Sequence, residues 1–424
     1  MTMLLNLCNF LASSPHHILG SMIRSCLVDP LTLFICLLLS LSTAFAQETQ
    51  SLGDLARKIR AQKNHGQDPQ PPAASPSATP SVDAAASVTP AVTQSLPEEN
   101  VTITADLNAD FAKDPYAGFR WQAAIAGAVG NDRFEWIDKL ADDVRTTKAR
   151  YSGGGWKLRG VYGALETPIT SDYASKDPWS LLFARLERWK AQRPDSITAR
   201  VALAGAWINY GWAARGGGTI DTVTEDNWQL FQSRAHKARA ILEEAQKLTA
   251  KCPEWFVVMQ QVAVSEQWDP TEFNALTEKA IAFEPDYYYY YQGMAGTLLP
   301  KWGGEEGDAT RYAEATANHI GGKKGDMIYY EIGKDLICAC DNEQGLNGMS
   351  WPRLLRGYQT LEELYGTTPA QRNMVAYMAL TARDTKTAQK MFDQIGENWD
   401  EKTWRSYENF ESARKNLKIV PKQQ

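Results

Sequence analysis

Residues 269–304 read DPTEFNALTEKAIAFEPDYYYYYQGMAGTLLPKWGG, and no other stretch constrains the fold as tightly. Phe273, Leu276, Ala280 and Phe283 recur at helical spacing behind an Asp-Pro start, and Glu284-Pro285 ends the run. An aromatic second helix follows at once and stops at Pro300 and Gly303-Gly304. A helix pair this short cannot bury its apolar face alone and must stack on neighbours. The expectation is an all-α stack of antiparallel helix pairs, an α-solenoid.

The rest of the folded region carries the same punctuation. Asp114-Pro115, Asp177-Pro178, Ser350-Trp351-Pro352 and Thr368-Pro369 each set a capping residue at or near a helix start, with Pro in the first turn. The periodicity predicts helices at about 115–128, 132–150, 178–192, 196–214, 224–250, 254–267, 270–283 and 286–299. Six more follow at 306–319, 326–340, 351–365, 369–382, 385–395 and 400–416. Strand patterns are nearly absent, and the short connections favour antiparallel neighbours.

The repeats are degenerate but visible. Ala238, Ala245 and Pro253 fall in one unit and Ala280 and Pro285 in the next, with the prolines 32 residues apart (253 to 285). Tetratricopeptide units repeat at about 34 residues. Residues 275–287, ALTEKAIAFEPDY, resemble that superfamily most closely. A wider resemblance, over roughly 130–320, is to a bacterial exported family of tetratricopeptide-like domains of unknown function. It is carried by Trp189, Pro194-Asp195-Ser196, the stretch from Tyr210 through Gly216, Pro285-Asp286-Tyr287 and the stretch from Leu298 through Gly304. It implies the fold and supplies no chemistry; residues 326–417 depart from it.

Before the helices the chain has a different character. Residues 31–46, LTLFICLLLSLSTAFA, match the apolar core and A-x-A site of a secretory signal peptide, with cleavage expected before Gln47. Residues 1–46 are therefore read as the signal, with Met22 the better start. A retained N-terminal anchor is the alternative, since spanning a bilayer takes about 20 apolar residues. Residues 47–63 contain SLGDLARKIRAQK, which as a helix would set Leu52, Leu55, Ala56 and Ile59 on one face among Arg57, Lys58 and Arg60. That pattern suits a docking helix or a transient helix in a disordered tail. Residues 64–104 are dominated by Pro, Ala, Ser and Thr and read as a disordered, semi-stiff linker. The helical domain is expected over 105–420. The resulting localisation is periplasmic or secreted, with no stable membrane span in the mature chain.

Composition narrows the chemistry. A net charge of −6 without a basic stripe argues against nucleic-acid binding. After the signal three cysteines remain, Cys252, Cys338 and Cys340, an odd number that implies no disulfide framework; one long-range bridge plus a free thiol is possible. His236 and His319 are the histidines of the helical domain, so a general base is scarce and no metal site is expected. The carboxylate pairs Asp142-Asp143, Glu243-Glu244, Glu305-Glu306 and Glu362-Glu363 sit beside no nucleophile–base arrangement. No cofactor is implied, no catalytic residue stands out, and catalysis is not expected.

The candidate binding residues are Trp212, Arg215, Tyr287, Tyr291 and Trp302. Trp212 and Arg215 open onto Gly216-Gly217-Gly218, a helix end and loop that lacks the Lys-Ser/Thr of a P-loop. Trp302 beside two glycines is either a plug between units or an exposed anchor of the kind that dominates binding hot spots. Five consecutive tyrosines, 287–291, face all directions on a helix, so some pack inward and some line a surface. The function these features imply is a non-catalytic scaffold that binds a protein or peptide partner. A carbohydrate-binding or glycan-active protein is the alternative, supported by export and by 14 tryptophans.

Overall fold

The computed structural model describes residues 117–218, 220–339 and 346–419. The readings above for the signal, the basic segment, the linker, Asp114-Pro115 and Cys340 lie outside them. Sixteen α-helices are described: α1 (Ala117–Gly130), α2 (Phe134–Thr146), α3 (Lys157–Leu165), α4 (Pro178–Gln192), α5 (Ile197–Arg215), α6 (Glu225–Gln246), α7 (Pro253–Ser265) and α8 (Pro270–Phe283). Then come α9 (Tyr289–Thr297), α10 (Asp308–Ile320), α11 (Gly322–Ala339), α12 (Trp351–Tyr365), α13 (Pro369–Thr381), α14 (Thr385–Ile395), α15 (Glu401–Trp404) and α16 (Tyr407–Ile419). Three 3₁₀ turns complete the set, one of them Pro300–Trp302. Among the described residues there is no strand, only an isolated bridge between Arg150 and Trp156.

Local chemistry explains many of the boundaries. Asp177 and Asp269 accept hydrogen bonds from Ser180 N (3.1 Å) and Thr271 N (2.8 Å), and proline stands at the first helical position of α4 and α8. Thr368 and Gln371 form a reciprocal capping box at the start of α13. Several ends shift by up to four residues, as where the helix expected at 132–150 ends at Thr146 and that expected at 326–340 begins at Gly322, and two elements differ outright from the sequence reading. The expected helix at 400–416 is split, because Arg405 takes a left-handed conformation (φ 67°) between α15 and α16. Helix α3 was not expected at all, since its sequence KLRGVYGAL follows three glycines and holds two more. Packing overrides that poor propensity. A Cβ on Gly160 would lie 2.1 Å from Tyr151 Oη and 3.0 Å from Trp121 Nε1, so glycine lets α3 press against α1.

The helices alternate in burial. Each odd helix from α1 to α9 touches the next odd one: α1 with α3, α3 with α5, α5 with α7, α7 with α9 and α9 with α11. Each also packs on an even neighbour. Odd helices with such neighbours on both sides are accordingly the more enclosed: α5 is buried continuously from Ile197 to Ala206, whereas α1, first in the row, buries one stripe of Trp121, Ile125, Ala128 and Val129. The even ones bury a single stripe: Phe231, Ala235, Ala238, Leu242 and Ala245 in α6, and Ala309, Ala313 and Ala317 in α10. Ala238, Ala245 and Ala280 are all fully buried, as small residues at close helix crossings should be. Phe283 is 44 % exposed, so the inward stripe of α8 ends at Ala280.

Two hydrophobic clusters result, and α11 is common to both. Ile328, Tyr329, Ile332 and Leu336 face the first, which reaches back to Trp121; Met327, Tyr330 and Ile337 face the second, which reaches on to Leu417. The loop between α2 and α3 joins distant parts of the chain. Arg150 lies 4.0 Å from the Trp156 ring centre, donates to Asp286 O (3.1 Å) and approaches the rings of Tyr288 and Tyr365. Gln371 Nε2 donates to Gly153 O (2.8 Å), and Gly153 N to Tyr365 O (3.3 Å).

Candidate functional site: an aromatic cleft at the helix turns

Three successive helix pairs each carry a tryptophan where the odd helix hands over to the even one. Trp212 lies in the last turn of α5, Trp268 in the turn between α7 and α8, and Trp302 between α9 and α10. These turns converge on one half-open cleft of about 390 Å³. Trp228 and Phe231 of α6, Phe273 of α8 and Met294 of α9 add to its apolar wall. Trp212 and Trp302 meet edge to face, with ring centres 5.9 Å apart and planes at 87°. Phe231 closes on Trp212 at 4.9 Å.

Arg215 lines the same cleft but is 8 % exposed. Its guanidinium sits 5.3 Å from the Trp212 ring and donates to Gly216 O (3.0 Å) and Gly218 O (3.1 Å). The side chain therefore ties down the glycine loop and packs the ring, as an interior cation does when carbonyls accept its hydrogen bonds. Polar groups at the cleft are few: Gln267, Asn274, Thr297 and Asp308.

Beyond Trp212 and Trp302 the cleft continues into a recess of about 300 Å³ lined by Gln260, Gln261, Gln292 and Asp335. Arg159 also lines the recess and belongs to a buried charged cluster behind it. Arg159 pairs closely with Glu254, lies 3.5 Å from Glu166, and Tyr287 donates its hydroxyl proton to Glu254. Beside it Lys334 donates to Glu331 at 2.6 Å. Burial pushes the Glu166 carboxyl up to about 8, against the opposing pull of Arg159. The reason is geometric: one guanidinium serves two buried carboxylates, and Glu254 has the closer contact.

Trp212, Arg215 and Trp302 thus come together. Tyr287 and Tyr291 do not join them. Both are at most 1 % exposed and their hydroxyls are used inside, by Glu254 and by Pro285 O (3.1 Å). They are core residues, and neither presents a face to the surface. Sequence reading missed Trp228, Trp268 and Phe273 as partners; for Trp268 the available signal was the recurrence of tryptophan at the ends of three successive odd helices, α5, α7 and α9.

Cys252 is a buried free thiol, 3.2 Å from the Tyr162 hydroxyl. The Cys338 side chain lies outside the described atoms. Among the described residues no group of three or more His, Cys, Asp or Glu side chains could hold a metal. Among them, too, no helix is long and apolar enough to cross a membrane. The carboxylate pairs are dispersed: Glu243 binds Arg239, Glu244 binds Arg200, and Glu363 binds Lys323. Comparison with family models, with curated proteins and with solved structures finds no match to this chain.

Proposed function

We propose that this chain is an exported, non-catalytic α-solenoid of degenerate tetratricopeptide-like helix pairs that binds a peptide segment of a partner protein in the tryptophan cleft. The solenoid reading is supported by the ladder of odd helices and the single buried stripe of the even ones. The observation that carries the binding reading is the delivery of Trp212, Trp268 and Trp302 to one cleft from three consecutive helix turns.

The chemistry suits a peptide. A volume of about 390 Å³ falls at the small end of ligand pockets, the scale of one or two bulky side chains. Gln260, Gln261, Gln267, Asn274 and Gln292 ring the cleft and its recess. Each amide carries a donor and an acceptor, the complement of a peptide bond. A sugar would instead want a free, flat aromatic face beside carboxylates. Here Trp212 is already engaged by Phe231 and Trp302, which occupy ring surface that a sugar would need. The peptide reading therefore ranks above the carbohydrate one.

The test is to pan a displayed peptide library on the purified chain and titrate the winners into wild type and Trp302→Ala. Sequences sharing a bulky apolar residue, and weakened by the substitution, support the reading. Retention on a glycan array with no peptide enrichment would reverse the ranking. Export is checked separately: N-terminal sequencing of the protein from its host should begin at Gln47.

A further inference from the structure

We propose that the recess beyond Trp212 and Trp302 takes the lysine or arginine side chain of a bound peptide. This rests on reading the cleft as a peptide site, and it names a second residue that the peptide carries beside its bulky apolar one.

Glycines open the recess. Gly293 and Gly296 both line it, three residues apart on α9. Glycine weakens a helix relative to alanine, so each position calls for a reason. Packing supplies none at Gly296, where a Cβ would meet nothing within 4 Å. At Gly293 a Cβ would lie 2.7 Å from Gln260 Oε1, so glycine keeps a side chain off that oxygen. The space left is about 300 Å³. Its apolar wall is Val257, Val264, Phe273 and the rings of Trp212, Trp302 and Tyr289. Such a wall suits the alkyl stem of a basic side chain, and tryptophan and tyrosine rings attract its charged end.

The polar groups give the recess its sign. Gln260 is 3 % exposed, and its Nε2 donates to Thr277 Oγ1 (2.8 Å) and Tyr290 O (3.3 Å). Its Oε1 is buried without a hydrogen-bond partner, which leaves a negative partial charge uncompensated. Asp335 of α11 also lines the recess, and among the described residues no cation forms an ion pair with it. Lys334, bonded to Glu331, and the exposed Lys301 act on Asp335 only through space.

Arg159, the cation that lines the recess, is held by Glu254 and Glu166. The pairs Arg159–Glu254 and Lys334–Glu331 cancel, and Glu166, with its carboxyl pushed up to about 8, keeps its proton at neutral pH. Asp335 is the carboxylate left over. Burial raises it above the ordinary carboxyl range, the mark of a charge short of a partner. A cation on an alkyl stem supplies that partner and fills the space beside it.

The experiment starts from peptides panned on the purified chain from an unbiased displayed library. Winners should share a lysine or arginine at a fixed spacing from the bulky apolar residue. Each is then synthesised with norleucine, a neutral alkyl chain, in place of the basic residue. Both forms are titrated into wild type, Asp335→Asn and Gly296→Leu. On wild type, norleucine should weaken binding about tenfold or more, the scale of a hydrogen bond to a charged group. Asp335→Asn should weaken the basic peptide to the same degree and leave the norleucine peptide unchanged, as two changes to one contact do. Gly296→Leu, placed where a side chain meets open space, should keep the urea midpoint of wild type and weaken the basic peptide as much. Undiminished binding of the basic peptide to Asp335→Asn or to a folded Gly296→Leu, additive losses, or winners without a basic residue would overturn the proposal and leave the cleft a peptide site. No winners, or none weakened by Trp302→Ala, would remove the peptide reading and this one with it.

Discussion

The tyrosine run and the tryptophan turns are equally aromatic and end in opposite places. Tyr287, Tyr288, Tyr290 and Tyr291 are each under 5 % exposed, at the start of α9 in the buried row of odd helices. Trp212, Trp268 and Trp302 are half-buried at helix turns. What separates them is position in the helix pair. A residue along an odd helix is walled in by helices on several sides, whereas a turn has neighbours only on the inward side. Hydroxyl partners do not decide the outcome: Tyr287 donates to Glu254 and Tyr291 to Pro285 O, whereas the Tyr290 hydroxyl is buried without a hydrogen-bond partner.

Substitutions can break or sharpen that contrast. The largest effect should come from the buried side: Glu254→Ala removes the closer of Arg159's two carboxylates and the acceptor of the Tyr287 hydroxyl, and should cost about 3 kcal/mol in urea unfolding, the low end for a broken buried pair because Glu166 stays 3.5 Å from Arg159. A loss below 1 kcal/mol would mean the cluster is wetter than its burial implies.

The second effect is on pH. Glu166 is held at about 8, above the ordinary carboxyl value of 4.5, so the folded protein holds that proton more tightly than the unfolded chain. Its contribution is full below pH 4.5, declines as pH rises towards about 8, and is gone above that. Several pKa units, each about 1.4 kcal/mol, put the scale at a few kcal/mol. Urea midpoints for Glu166→Gln should therefore fall less than those of wild type between pH 5 and 8.5; parallel slopes would disprove the assignment.

On the exposed side the expected pattern inverts. Trp302→Ala should lower affinity for a cleft-binding peptide by about 2 kcal/mol or more, as hot-spot tryptophans do. Being half-buried, it should cost less stability than the 3–5 kcal/mol of a fully buried Trp→Ala. Titration calorimetry and urea unfolding on the same variant decide the point. The smallest effect is Tyr291→Phe, which loses one hydrogen bond to Pro285 O and should cost about 1 kcal/mol with no change in peptide binding.

Much of the helical architecture was readable because it is written locally. Asp177-Pro178, Asp269-Pro270 and Thr368-Pro369 start helices through contacts within three residues. Helix α3 was not readable, because its glycines answer to Tyr151 and to Trp121 of α1 and not to their own turn of helix. The site divides the same way. Trp212, Arg215 and Trp302 could be singled out by their glycine-flanked loops. The Arg159–Glu254 pair spans 95 residues, and nothing near either residue announces the other. Tyrosines 287–291 looked ambiguous because their direction depends on which row α9 occupies, a property of the stack.

The contact of the α2–α3 loop with Tyr365 and Gln371 has a kinetic consequence. An array in which each unit touches only its neighbours can fray from either end and refold from any point. Here Gln371 and Gly153 are bonded across 218 positions of the chain. That clasp ties the α2–α3 loop to the start of α13, so neither can separate without breaking it. Closing so long a loop is expected to slow assembly, and these bonds favour release of the α2–α3 loop together with the start of α13 over a progressive unzipping.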